Sequence, residues 1–168
     1  MANWRVSKSL DKLRQQVNAA APGRSKASDG TKGDEAHAAR KSDHNPDSKG
    51  IVRALDITHD PKNGVDSERL AEALRLSRDP RISYIISNRK IAAGYAVHGE
   101  AAWTWRTYSG ANPHNKHCHI SVVADDALAD DTRPWAIEAA FASKPVPEVV
   151  TQKPVVQSVP ALQRLPIA

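Results

Sequence analysis

Residues 112–122 read NPHNKHCHISV, and this stretch holds three of the chain's seven histidines, His114, His117 and His119. It ends in β-branched residues, so a strand is expected over 117–123. Side chains on a strand alternate between its faces. His117, His119 and Ser121 therefore share one face, and Cys118, Ile120 and Val122 share the other. Two imidazoles on one face point into the same volume. That is the convergence a metal needs, with ligand nitrogens about 2.0–2.1 Å from a zinc ion. His114, in the turn just before the strand, is placed to fold over the same volume.

A metal needs donors from more than one strand. The best supplier is SDHNPDSKGIVRALDITHDP, residues 42–61. Within it, IVRALDIT (51–58) reads as a second strand. Alternation puts Val52, Ala54, Asp56 and Thr58 on one face and Ile51, Leu55 and Ile57 on the other. Asp56 thus points away from the larger apolar side chains. The same segment supplies His44 from a loop, then His59 and Asp60 just after the strand. His44, Asp56 and His119 make a set of two nitrogens and one carboxylate. Three protein ligands leave a fourth position for water, the arrangement of catalytic zinc rather than of a closed structural site. His117 and His114 beside it are candidates for proton transfer or for hydrogen bonding to a transition state.

Outward from these strands, 7–20 reads as an amphipathic helix with Leu10, Leu13 and Val17 on one side and Ser7 or Ser9 as cap; Pro22-Gly23 stops it. Residues 21–49 form a long polar loop, of a length that in compact domains is functional or mobile. A second helix covers 67–77, capped by Asp66 and ended by Asp79-Pro80. Strands are expected over 82–87 and 90–97 around an Asn88-Arg89 turn, and a last helix over 131–141 with Pro134 in its first turn. Trp103, Trp105 and Tyr108 read as an aromatic cluster that packs in the core. The fold class is α+β, a small, mostly antiparallel sheet flanked by helices. Residues 1–142 form one domain. The Pro/Val-rich segment 143–168 has no sustained period and reads as a disordered linker or tail.

Composition narrows the function classes. The 168 residues are 40% hydrophobic, enough for a modest core, and include one cysteine, which excludes an intramolecular disulfide framework. Cys118 is expected to pack in the core. No run approaches the length of a membrane span, and the N-terminus lacks the apolar region of a secretion signal. The net charge of +5 favours polyanions, either nucleic acid or an anionic bacterial wall. The basic residues are spread along the chain, and aromatics are only 5% of it, few for base stacking. No nucleic-acid partner is expected.

Ser42-x-His44, then Gly50, then Ala54-x-Asp56, followed by His117-x-His119, resembles the zinc peptidases of peptidoglycan. These include D-Ala-D-Ala carboxypeptidases, L-Ala-D-Glu endopeptidases of phage lysins and the penicillin-insensitive murein endopeptidase, and they share a fold with the hedgehog signalling domain. The resemblance spans roughly residues 40–122. It implies zinc as cofactor, with His44, Asp56 and His119 as ligands, and bacterial peptidoglycan as partner. It also implies an endolysin-like life, in the host cytoplasm until the membrane is opened and then at the wall. The triple His114-x-x-His117-x-His119 matches the murein endopeptidase branch.

Two departures are visible. His44 and Asp56 lie twelve residues apart, a longer separation than the family pattern has. Lys116 stands where carboxypeptidase and lysin members carry an acidic general base three residues before the zinc histidine. The base is then sought first in His117, next in His114, and third in Asp60, which favours an endopeptidase over a carboxypeptidase. Arg40, able to pair with a substrate carboxylate, and Ser42, suited to fixing the loop, are the substrate-side candidates. Two other readings stand beside this one. One is a metal-dependent nuclease of the His-Asn-His type, drawing on His44-Asn45 and Asn115. The other is a hedgehog-like zinc module that binds without cutting.

Overall fold

A computed structural model describes residues 3–33 and 41–142. The segment 143–168 and Arg40 lie outside the described residues. Strand β1 (Arg5–Val6) runs into helix α1 (Lys8–Ala20). Leu10, Leu13 and Val17 are fully buried on one side of α1, as their spacing requires.

The stretch 51–58 yields two strands where the sequence suggests one. β2 (Ile51–Val52) pairs in parallel with β1, and β3 (Ala54–Thr58) joins the main sheet. The break falls at Arg53. Its amide donates to the Asp43 carbonyl (3.0 Å), and its guanidinium binds the carboxylates of Asp47 (2.9 Å) and Asp126 (2.5 Å). The residues that lengthen the His44–Asp56 separation are folded up in the same place. Asp47 Oδ1 accepts from the amides of Lys49 (2.8 Å) and Ile51 (3.0 Å), and Gly50 turns the chain with a φ of 76°. The insertion therefore forms a compact excursion that closes on Arg53 and returns the chain to the sheet.

A short 3-10 helix (Pro61–Asn63) precedes α2 (Ser67–Ser77). The Asp66 carboxylate accepts from the amides of Glu68 (3.0 Å) and Arg69 (3.2 Å), partners those groups lack within the helix. β4 (Ile82–Ser87) and β5 (Lys90–Ala93) form a hairpin. Its turn residues Asn88 and Arg89 both have positive φ, 43° and 61°, as a tight two-residue hairpin turn demands. β5 is shorter than the expected 90–97. The backbone at Gly94 comes so near the Ile82 carbonyl that a Cβ would lie 2.5 Å from it, and the Ala93 carbonyl is taken by Trp103 N at 2.7 Å.

β6 (Arg106–Thr107) and β7 (His117–Val122) complete a five-stranded antiparallel sheet in the order β3-β7-β4-β5-β6. Two short helices follow, α3 (Asp126–Ala129) and α4 (Glu138–Phe141). The single helix expected over 131–141 is not formed, because its carbonyls are claimed elsewhere. The guanidinium of Arg81, 1% exposed, takes the carbonyls of Asp131 (3.0 Å), Arg133 (2.7 Å) and Pro134 (3.4 Å) while pairing with Asp79 (2.6 Å). It also lies 3.8 Å from the ring centroid of Trp135, whose indole N–H donates to the Ser9 carbonyl at 2.8 Å.

One face of the sheet carries Leu55, Ile57, Ile85, Cys118 and Ile120, all fully buried, with α1 against β3 and α2 against β4 and β7. Each large apolar side chain so buried stabilises the fold by about 1.5–3 kcal/mol. Trp103 and Trp105 pack partly buried against this core. No helix of the described residues is long and apolar enough to cross a membrane.

Candidate metal centre

The other face of the sheet is polar, and pairing brings its residues together. β3 and β7 place Asp56 opposite His119 and Thr58 opposite His117, while β4 brings Ile86 beside His119 and Tyr84 beside Ser121. His44 arrives from the loop before β2. Its position is held at both ends: its amide donates to Ser42 Oγ (3.3 Å), and its carbonyl accepts from Gly33 N (2.9 Å).

The donor atoms of His44, Asp56 and His119 lie within 4.8 Å of one another. His44 Nε2 is 3.2 Å from His119 Nδ1 and 3.3 Å from Asp56 Oδ2, and His119 Nδ1 is 2.9 Å from Asp56 Oδ1. A tetrahedral ion with bonds of about 2.0–2.1 Å keeps its ligand atoms about 3.3–3.4 Å apart, so the triangle is close to the size required. A carbonyl only accepts, so the Thr31 carbonyl against His44 Nδ1 holds the proton there and leaves Nε2 a lone pair. His119 Nε2 lies 3.0 Å from Ser121 Oγ, a hydroxyl able to donate or to accept, while Nδ1 faces the Asp56 carboxylate. The outward hydrogen bonds are the supports that metal-binding histidines characteristically have. The group is thus able to hold a metal ion.

The electrostatics point the same way. Burial alone would raise the Asp56 carboxyl, but hydrogen bonds and positive potential from His119 and His44 hold it well below the usual range. Burial would lower His44, yet Asp56 and the Thr31 carbonyl carry it above the ordinary imidazole value. The carboxylate is therefore always ionised near neutrality, and protons compete with a metal for His44.

Two further imidazoles border the triangle. His117 Nε2 lies 3.8 Å from Asp56 Oδ1, and burial lowers its affinity for a proton. His114 packs edge-on against His117 (centroids 5.0 Å) and His119 (5.5 Å). It is 7% exposed, and burial, with the positive potential of its imidazole neighbours, pushes it down to about 4. Its Nδ1 is buried with no hydrogen-bond partner among the described residues. His114 also has a φ of 52°, a left-handed backbone that a non-glycine residue adopts at a cost, and it is held there by Asn88 N on its carbonyl (2.8 Å).

The fate of each candidate is now plain. His44, Asp56 and His119 come together, His117 and His114 flank them, and Ser42 lines the same cleft of about 270 Å³. Asp60 is not among them. Its carboxylate accepts from Ser25 N (2.7 Å) and Asn63 Nδ2 (2.8 Å), so it shapes the turn into the 3-10 helix. Arg40 lies outside the described residues. Cys118 is fully buried on the far face, as alternation requires.

Several residues of the centre are not apparent from motif spacing. Tyr84 stacks on His119 with centroids 5.5 Å apart, and burial raises its hydroxyl so that it stays protonated. Tyr108 meets His114 edge-on, so it belongs to the cleft rather than to the core cluster expected with Trp103 and Trp105. Ser121 alone was within reach of sequence, since it shares the His117–His119 face. A larger concavity of about 880 Å³ beside Trp4 contains no imidazole, and size alone would have pointed to the wrong place. Compared with protein-family models, with curated proteins and with solved structures, the chain matches none.

Proposed function

We propose that the chain is a zinc-dependent peptidase that hydrolyses a peptide bond in the stem or cross-link of bacterial peptidoglycan. The carrying observation is the meeting of His44 Nε2, His119 Nδ1 and the Asp56 carboxylate on one side of the sheet, with two spare imidazoles alongside. Two nitrogens and a carboxylate are the donor set of an open catalytic zinc site. The same three residues are the ones picked out by the motif resemblance, which supports assigning the closer fold to the hedgehog-like zinc peptidases. The basic charge suits an anionic wall, where an endolysin-like protein would act once the membrane is opened.

A bound zinc ion would supply a Lewis acid for the scissile carbonyl and a water acidic enough to ionise near neutrality. The chain supplies the rest. His117, kept neutral by burial, is the group to accept a proton, and it lies at the mouth of the cleft. His114 presents an unsatisfied, neutral imidazole beside it. Tyr84 stays protonated and fixes the ring plane of His119 by stacking. Asp56 is the one carboxylate among the described residues lining this cleft, and Asp43 behind its wall is engaged with Tyr84, which leaves the imidazoles as the candidate bases.

The test is digestion of purified peptidoglycan, with and without a chelator, followed by mass spectrometry of the muropeptides. New amino groups without new reducing sugar ends are expected, and the chelator should abolish them. Reducing ends would mean a glycosidase and would end this reading. The non-catalytic zinc module remains the second reading, favoured by Lys116 in the place of an acidic base. The nuclease reading loses support, because residues 117–122 lie within the sheet instead of entering a helix.

A further inference from the structure

Two clefts meet at Asp56. One, of about 270 Å³, is lined by the imidazoles with Lys41 and Tyr108; the other, of about 470 Å³, is lined by Ser28, Gly30, Asn115 and Lys116. Asp56, Asn112 and His117 line both. The candidate centre is therefore flanked by recesses on two sides, with Asp56, Asn112 and His117 between them.

The two acidic residues of the second cleft are already engaged. Asp29 gives both oxygens to Arg24 (2.8 and 2.6 Å), whose side chain is fully buried, and accepts further from Thr58 N (2.9 Å) and Oγ1 (2.7 Å). Asp56 faces His44 and His119. Lys116 is exposed, and its ammonium has no ion pair among the described residues. Its root is fixed, since its carbonyl accepts from His59 N (2.9 Å) and the next residue begins β7. A positive charge on a fixed stem thus overhangs a cleft whose other free side chains, Ser28 and Asn115, are neutral and hydrogen-bonding.

We propose that the Lys116 cleft is a carboxylate-selecting subsite, which seats a substrate segment bearing a free carboxylate next to the bond to be cut, while the rest of the peptide leaves past Lys41 and Tyr108. This names a substrate class, acidic peptides cut internally, and it rests on the peptidase reading above. A charge-assisted contact at a half-open site is worth a preference of about fivefold for the acid over its amide.

The experiment compares a cross-linked muropeptide dimer in its free-acid form with the same dimer after amidation of its glutamyl α-carboxylates. Cleavage is measured as kcat/KM with the zinc-loaded full chain, and binding by calorimetry with the chelator-treated chain. The wild type should favour the free acid about fivefold in both measurements. Lys116→Met should bring the ratio to about one, Lys116→Arg should keep most of it, and Lys116→Glu should invert it. A wild type that cuts both forms equally, or a Lys116→Met that retains the full preference, overturns the subsite and leaves the peptidase reading standing. If neither form is cut, the peptidase reading falls, and the binding ratio alone decides the subsite.

Discussion

A Cβ on Gly30 would lie 2.6 Å from Asp56 Oδ2, so this loop residue leaves the carboxylate its place. The two residues are also joined through their backbones, with Asp56 N donating to Gly30 O at 2.8 Å and Gly30 N to Asp56 O at 3.2 Å. Gly30→Ala is expected to weaken metal binding about tenfold or more, as loss of a ligand's outer support does, while leaving the metal-free fold in place. A zinc titration followed by far-UV circular dichroism reads both. The histidines separate differently. Under the proposed peptidase reading, His119→Ala should lose both metal and turnover, whereas His117→Ala should keep the metal and lose turnover by about 10²–10⁴-fold. Cleavage that survives in His117→Ala would remove it from catalysis. The meeting of Asp56 with His119 was legible because alternation fixes the faces of two strands, whereas His44, on a loop, was reached through the donor set and the motif resemblance. Thr31, Gly30 and Tyr84 were not legible, since long-range pairing, and not local pattern, brings them to the imidazoles. Asp60 misled for the converse reason. Its proximity in sequence to the Asp56 strand says nothing about the direction in which its carboxylate points.

Among the elements, α2 was readable to its cap, because Asp66 and the Leu70–Leu74 stripe are local signals. Asp66→Ala should cost about 1 kcal/mol in a denaturation series. Where local signals met a tertiary demand, they lost. Pro134 in the first turn suggests a helix over 131–141, but Arg81 claims three carbonyls there. A buried guanidinium with its carboxylate partner needs all of those acceptors. Arg81→Met therefore leaves Asp79 unpaired and frees the segment that carries Trp135, with an expected loss of about 3–5 kcal/mol, measured by urea denaturation. A loss under about 1 kcal/mol would mean that the C-terminal helices are held by apolar packing alone. The same principle explains the split at Arg53, whose charge network breaks an otherwise uniform β-pattern.

Over the whole molecule, the local pairs Arg24–Asp29 and Arg81–Asp79 tie distant segments together through Thr58 on Asp29 and the carbonyls of Asp131, Arg133 and Pro134 on Arg81, and both carboxyls lie below the usual value. Burial would raise them, but it is outweighed jointly by the hydrogen bonds and charge of the paired arginines and, on Asp29, by the hydrogen bonds from Thr58. A carboxylate lowered on folding contributes its full stability above the unfolded value of about 4 and loses it as the pH falls through the folded value. Stability of the metal-free chain attributable to these pairs should accordingly be flat from pH 7 to 5 and decline below about pH 4. Loss beginning nearer pH 6 would point instead to the buried imidazoles. Under the proposed zinc reading, the ion at 100 times its Kd should add about 2.7 kcal/mol and raise Tm. Cys118 turns this into a simple measurement. The chain's one thiol is fully buried in β7 between the two site-facing histidines, and burial raises it far above reactivity. A thiol-specific dye can mark it only when the sheet parts, so the labelling rate acts as a stopwatch for opening of the strand that bears His119. Slower labelling on adding a divalent ion would reveal the ion's grip without any substrate in the tube.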